Sequence, residues 1–137
     1  MATSMTATIS ARLDEYTADK EQLCRRNDDI APCLYEEYGV KKGLRAENGN
    51  GVLAGLTNIS KIVSSRILDG KKTSCDGQLW YRGYRVESLL DSLGEHELGY
   101  EKVAYLLLMG ELPDKETADD FRDLVGACRT LPTNFTR

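Results

Sequence analysis

The chain has 137 residues, of which 41% are hydrophobic and 29% charged, so its composition is that of a folded domain and excludes a disordered chain. The net charge of -4 and the lack of any Lys/Arg cluster longer than a pair argue against a nucleic-acid partner. No apolar run approaches the ~18 residues that cross a bilayer, which argues against a membrane-spanning segment.

Residues 1–42 form a first region, which is predicted to be helical. Its apolar residues recur at roughly helical spacing: Ile9, Leu13, Tyr16 and Leu23. A second helix is expected further along, with Asp28 and Asp29 as capping residues, Pro32 in its first turn and Gly39 near its end. This region is therefore interpreted as the N-terminal helices.

Residues 43–84 form a second, turn-rich region, because glycine and asparagine tolerate positive φ angles. Two Asp-Gly pairs, at residues 69–70 and 76–77, separate segments with β propensity. These segments cover residues 59–68, 72–75 and 79–81. Asp-Gly between such segments is a hairpin signal, so a small antiparallel β meander is predicted here.

Residues 85–137 return to a helical pattern. A short helix is expected over residues 86–93, and an apolar helix over residues 100–109 ends at Gly110. Since that second helix is apolar nearly all round, it is typical of a helix inside a larger helical protein. Asp114 is expected to cap a third helix. One face of this helix is predicted to be apolar: Ala118, Phe121, Val125 and Cys128.

The four cysteines give no sign of a metal site. They are Cys24, Cys33, Cys75 and Cys128, and they form no C-x-x-C pair. We interpret them as reduced, mostly buried thiols of a cytoplasmic protein.

The sequence does not favour either a catalytic histidine or a glycine-rich phosphate loop. Proton-transfer catalysis most often uses histidine, and the chain has one, His96, between Gly94 and Gly99. Two nearby glycines favour an exposed loop, so a structural role is the simpler interpretation, and no G-x-S-x-G motif accompanies it. The glycines of residues 43–55 match neither a P-loop nor a dinucleotide fingerprint.

Two arginines leave alternatives open. Arg45 lies in the turn-rich segment near Lys41 and Lys42, where a guanidinium could bind phosphate or be an exposed structural residue. Arg82 lies among the aromatic residues of the segment LWYRGY, residues 79–84. Aromatic residues beside arginine can stack on a ligand. They can also mark a strand packed into a core, with the arginine paired to a carboxylate.

Four segments together carry a resemblance to a known family. They are GLR at residues 43–45, VLAGLTNIS at 52–60, LWYRGY at 79–84 and VAYLLLMGELP at 103–113. In order and spacing, the stretch from residue 43 to residue 137 resembles the start of the citrate synthase family. The first forty residues match only as generic helix.

The resemblance implies a fold that is mainly α, a helical partial large domain of the citrate synthase-like fold with a small antiparallel β meander. Residues 1–42, 43–84 and 85–137 would then be three parts of one incomplete domain, and the abrupt end of the chain favours a fragment. Family members condense oxaloacetate with acetyl-CoA to give citrate and CoA, and close relatives use propionyl-CoA to make 2-methylcitrate. The family implies a homodimer in the cytoplasm and no cofactor beyond the acyl-CoA substrate.

The family's catalytic groups are a carboxylate base, one histidine that stabilises the enolate and another that polarises the ketone. None of these maps onto the matched segments, so the catalytic set of this chain is expected to be empty and the segment alone inactive. The arginine of the family's G-[LM]-R motif contacts CoA phosphates and corresponds to Arg45, whereas Arg82 is assigned to the scaffold. A homo-oligomer is expected, with neither nucleic acid nor membrane as a partner. A non-catalytic helical binding or regulatory module and a complete small enzyme of other chemistry remain alternatives.

Overall fold

A computed structural model describes residues 2–41, 43, 45–49, 51–93, 99–129, 131 and 135 of the chain, with the backbone alone at residues 2–6. The chain divides into two compact units. Unit 1 combines Met1–Asn27 with Leu90–Arg137, and unit 2 is Asp28–Leu89.

Helices dominate the described residues and are accompanied by one small antiparallel sheet. In chain order the elements are α1 (Ala2–Asp28), α2 (Cys33–Glu37), β1 (Ser60–Leu68), β2 (Lys71–Tyr81), β3 (Tyr84–Arg85), α3 (Val86–Ser92), α4 (Gly99–Met109) and α5 (Lys115–Ala127). The predicted class, mainly α with a small antiparallel meander, is therefore confirmed.

The core of unit 1 forms where α1, α4 and α5 meet. Tyr105, Met109 and Phe121 are its buried centre, and the rings of Tyr105 and Phe121 meet edge to face with centroids 5.6 Å apart. Several partly buried residues pack against this centre: Tyr16, Leu23, Cys24, Ala104 and Val125. Of the apolar residues predicted to recur along α1, Tyr16 and Leu23 thus pack against this core, whereas Leu13 is 42% exposed.

The ends of α4 and α5 follow the sequence signals. Gly110 has φ +85°, a left-handed conformation that stops α4, and its N–H donates to the Leu106 carbonyl at 2.8 Å. The Asn27 side-chain amide of α1 donates to the Met109 carbonyl at 2.7 Å, which satisfies a helix-end acceptor. At the start of α5, the Asp114 carboxylate accepts from the Thr117 N–H at 2.8 Å, as predicted. That hydrogen bond lowers the pKa of Asp114.

Unit 2 contains the sheet, whose strand order is β1-β2-β3 with antiparallel pairing throughout. Two tight turns connect the strands. Asp69 and Gly70 have φ angles of 48° and 75°, and Arg82 and Gly83 have φ angles of 45° and 88°. Positive φ at both central residues is the pattern of a type I′ turn, whose twist matches that of the flanking strands.

The turn predicted at residues 76–77 is wrong. Asp76 and Gly77 lie within β2, which is continuous to Tyr81, and the chain reverses instead at Arg82-Gly83. Opposite them, the register of β1 shifts between Val63 and Ser65, which is a β-bulge or similar irregularity. The Asp-Gly pair therefore lies in an irregular part of the ladder, where the strand continues without a turn.

Two further predictions need correction. Asp28 and Asp29 do not cap α2, because Pro32 occupies the N-cap position without a side-chain hydrogen bond and Asp28 pairs with Arg82. The cysteines are not mostly buried: Cys33 and Cys128 are exposed, and Cys24 and Cys75 are half-buried. Cys128 is exposed because α5 ends at Ala127, so it follows the helix and does not complete the apolar face.

Candidate functional site

The segment around Arg45 is a loop of unit 2 that is closed by backbone contacts. The N–H of Lys41 donates to the Leu53 carbonyl at 2.9 Å, and Arg45 and Gly51 form an isolated antiparallel bridge. A tight turn lies between them, in which the Gly49 N–H donates to the Ala46 carbonyl at 2.9 Å. The turn-rich character predicted for this segment is thus present as a short, internally bonded loop.

The Arg45 guanidinium is oriented by this loop. Its Nη1 donates to the Gly49 carbonyl at 2.8 Å, while the residue as a whole is exposed. Gly49 has φ +81°, so glycine suits the turn that offers this carbonyl. A guanidinium has five N–H donors, and one such bond fixes its position without using up its capacity to bind an anion.

An open cleft of about 580 Å³ lies beside the loop. It is lined by Lys41, Arg45, Ala46, Glu47, Asn48 and Val52. Two cations and one carboxylate leave this cleft with a net positive charge, which suits an anionic group. Its volume is within the range typical of small-molecule sites.

The second candidate, Arg82, is occupied by partners of its own unit. Its side chain is 4% exposed, and its Nη2 lies 2.5 Å from Oδ1 of Asp28. Its Nη1 donates to Oδ1 of Asn58 at 2.9 Å. The guanidinium therefore holds together two segments of unit 2, which agrees with the interpretation of a scaffold arginine paired with a carboxylate.

A cleft of about 360 Å³ lies next to Arg82 and includes Trp80 and Lys61 in its lining. The indole Nε1 of Trp80 is buried and has no hydrogen-bond partner among the described residues. Because solvent does not reach this nitrogen, a ligand in the cleft would not reach it either. The buried indole therefore indicates packing around the YRGY turn and is not a ligand-binding donor.

His96 lies outside the described residues. Across the part of the chain that the structure describes, no group of three or more His, Cys, Asp or Glu residues could hold a metal ion. In the same part, no helix combines the length and the apolar character needed to cross a bilayer. In unit 1, burial raises the pKa of Tyr16 to about 12, so its hydroxyl stays protonated at neutral pH.

One structural contact of Arg82 was not predicted from the sequence, namely its hydrogen bond to the Asn58 side chain. Its signal was present in the segment VLAGLTNIS, where a polar Thr-Asn pair directly precedes a strand. Thr57 uses its hydroxyl to accept the Ile59 N–H at 3.1 Å, and Asn58 is then placed to accept from Arg82. Side-chain to backbone bonds of this kind are what favour Thr and Asn before a strand.

Comparison with known proteins identifies the family. The family model described as "Citrate synthase, C-terminal domain" matches residues 44–137, which include the Arg45 loop, the sheet and α3 to α5. The chain belongs to the citrate synthase family. No solved structure gave a significant match.

Two curated relatives agree with this family. The chain is 35% identical over 92 residues to 2-methylcitrate synthase 1 of Corynebacterium glutamicum, a match that covers 67% of this chain and 19% of that protein. It is 39% identical over 72 residues to the citrate synthase of Saccharolobus solfataricus, which covers 52% of this chain and 17% of that protein. The matches thus span less than a fifth of the length of either relative.

Proposed function

We propose that this chain is a scaffold portion of a longer acyltransferase that condenses oxaloacetate with acetyl-CoA to give citrate and CoA. The family match over residues 44–137 is the observation that carries this proposal. The alternative substrate is propionyl-CoA, whose condensation with oxaloacetate yields 2-methylcitrate. The similarity to a protein named 2-methylcitrate synthase 1 supports this alternative. A cytoplasmic location and a homo-oligomeric parent enzyme are part of the proposal.

The chemistry explains why the segment by itself should be inactive. A thioester methyl proton is weakly acidic, so its removal needs a base and a donor that stabilises the enolate, and the ketone needs polarisation by another donor. The resemblance assigns these roles to one carboxylate and two histidines. The chain contains a single histidine, so it cannot supply that set.

A thiol-release assay with a chimera tests the proposal. The purified 137-residue chain, given oxaloacetate with acetyl-CoA or propionyl-CoA, is expected to release no CoA. Residues 44–137 placed into the Corynebacterium relative, in exchange for its matching segment, are expected to preserve turnover, because the scaffold is equivalent and the host supplies the catalytic groups. Turnover by the isolated chain, or a folded chimera with no activity, would contradict the proposal.

Arg45 is proposed to bind a phosphate group of CoA. The supporting geometry is a guanidinium held by the Gly49 carbonyl beside a positively charged cleft that also contains Lys41. A planar guanidinium can donate two parallel hydrogen bonds to a phosphate, which a lysine cannot reproduce.

In the chimera, Arg45→Ala is expected to raise the KM for acyl-CoA about tenfold or more and to change kcat little, because a charge-assisted hydrogen bond to bound substrate is lost. Arg66→Ala is the matched control, since Arg66 is an exposed arginine of β1 in the same unit. Steady-state kinetics with dephospho-CoA thioester and the normal thioester would show whether Arg45 acts through a phosphate. An unchanged KM in Arg45→Ala would exclude this role.

A further inference from the structure

The cleft of about 360 Å³ beside Trp80 lies within unit 2 and shares no lining residue with the Arg45 cleft. It is lined by Thr57, Asn58, Ser60, Lys61, Trp80, Arg82 and Gly83. Its volume is at the lower end of the range for small-molecule sites, so it suits a ligand much smaller than an acyl-CoA. The proposed acyltransferase chemistry gives this cleft no role.

The lining of this cleft contains two cationic side chains and no carboxylate. The charge of Arg82 is offset by its ion pair with Asp28. Lys61 is exposed, and within the part of the chain that the structure describes no carboxylate forms an ion pair with it. An ammonium group carries three N–H donors and attracts a negative charge. The cleft therefore favours an anionic group at the Lys61 side chain.

Two hydroxyl groups of the lining add hydrogen-bond donors next to that charge. The Thr57 hydroxyl accepts the Ile59 N–H at 3.1 Å, so its own proton can be donated to a ligand. Ser60 is exposed at the start of β1, directly before Lys61. A carboxylate has two oxygens that accept several hydrogen bonds, and bonds to a charged acceptor are the stronger ones. The donors of this cleft therefore match a carboxylate.

The apolar wall of the cleft is the indole of Trp80, which lies in a row of side chains across the sheet. Lys61 of β1 is paired with Trp80 of β2, and Trp80 is paired with Arg85 of β3. Directly paired residues project from the same face of a sheet, so the indole lies between two cations. Arg85 is 6.0 Å from the centre of the indole ring and contacts Glu87, its Nε 3.4 Å from Oε2. Lys61 is thus the cation of this row that can bind an anion.

We propose that this cleft binds a small carboxylate that has an apolar body. The carboxylate lies at the Lys61 ammonium and the hydroxyls of Thr57 and Ser60, and the apolar part packs against the Trp80 indole. The site does not depend on the acyltransferase chemistry, because it shares no residue with the Arg45 cleft. It can therefore be tested on the 137-residue chain itself.

Tryptophan fluorescence tests the ligand class, because Trp80 is the single tryptophan of the chain and its emission reports on this cleft. Phenylacetate, which combines a carboxylate with an apolar ring, is expected to change the emission saturably with a Kd on the order of 1–10 mM. Acetate lacks the ring and phenylacetamide lacks the charge, so each is expected to bind at least about tenfold more weakly. No saturable response to phenylacetate, or equal binding of phenylacetamide, would overturn the proposal.

Two lysine variants test the placement of the carboxylate. Lys61→Met is expected to raise the Kd for phenylacetate about tenfold, because a charge-assisted hydrogen bond is lost while Trp80 still reports binding. Lys72→Met is the matched control, since Lys72 is an exposed lysine of β2 outside the cleft, and it should leave the Kd unchanged. Circular dichroism would confirm that both variants fold. An unchanged Kd in Lys61→Met, or an equal loss in Lys72→Met, would overturn the assignment.

Discussion

Gly110→Ala is expected to lower the free energy of unfolding by about 3 kcal/mol. The alanine would have to adopt a left-handed backbone conformation, and its Cβ would clash with a neighbouring side chain. Gly110 has φ +85°, which L-residues rarely adopt. A Cβ added there would lie 2.6 Å from the Cβ of Asn27. Asn27 cannot retreat freely, because its side-chain amide holds the Met109 carbonyl at 2.7 Å. Relief of the clash would therefore disturb the contact between α1 and the end of α4.

Two glycine variants separate these contributions in urea titrations followed by circular dichroism. Gly39→Ala also has a positive φ, +60°, but no atom lies within 4 Å of the added Cβ, so a loss of about 1 kcal/mol is expected. Gly126→Ala lies within α5, again with no close neighbour, and should stabilise the chain by about 0.5–1 kcal/mol. Equal losses in Gly110→Ala and Gly39→Ala would show that the contact with Asn27 has no energetic consequence.

Arg82→Met is expected to destabilise the fold by about 2 kcal/mol. The guanidinium is 4% exposed and binds Asp28 and Asn58, so its removal leaves an amide oxygen and a carboxylate without their donor. Because the Asp28 carboxylate is 50% exposed, water can replace part of the lost interaction, and the loss stays below that of a fully buried ion pair.

The measurement is again the midpoint and slope of a urea titration. Arg66→Met is the matched control, because Arg66 is an exposed arginine of β1. Its free energy of unfolding is expected to stay within about 0.5 kcal/mol of that of the unmutated chain. A double-mutant cycle with Asp28→Asn should give a coupling energy near 1 kcal/mol, since the two residues share one ion pair. Additive losses in that cycle would contradict the role assigned to the pair.

The parts of the fold that local sequence signals could predict are those fixed by neighbouring residues. The α4 helix and its glycine stop, and the Asp114 cap of α5, depend on side chains within a few positions of the backbone they satisfy. The hairpin turn at Asp69-Gly70 is local in the same way. These elements were predicted correctly because propensity and tertiary context agree there.

The parts that were mispredicted depend on distant residues. Asp28 resembles a helix cap but pairs with Arg82, which is 54 residues further along the chain. Asp76-Gly77 has the composition of a turn, yet the residues on either side of it pair with β1 and keep it within a continuous strand. The reversal at residues 82–83 was missed because arginine disfavours a positive φ, and here the ion pair with Asp28 helps to hold that conformation.

For the candidate site, the sequence predicted only that an arginine, Arg45, lies in a turn-rich segment. Sequence placed Arg45 in a flexible glycine-rich segment, but the closure of the loop depends on the contact between Lys41 and Leu53, which spans twelve positions. The hydrogen bond from Arg45 to the Gly49 carbonyl, which orients the guanidinium, also could not be predicted from the pattern of residues. The proposed role of Arg45 toward CoA therefore rests on the family resemblance, while the charge and the cleft are features of the fold.

The outer edge of β1 bears on how the sheet behaves at high concentration. Among the described residues β1 is an outer strand, and such strands template the addition of further chains unless something interrupts them. Lys61 and Arg66 are exposed on this strand, so a second copy of β1 added here would meet charges of the same sign. Addition of further strands at this edge is thereby discouraged.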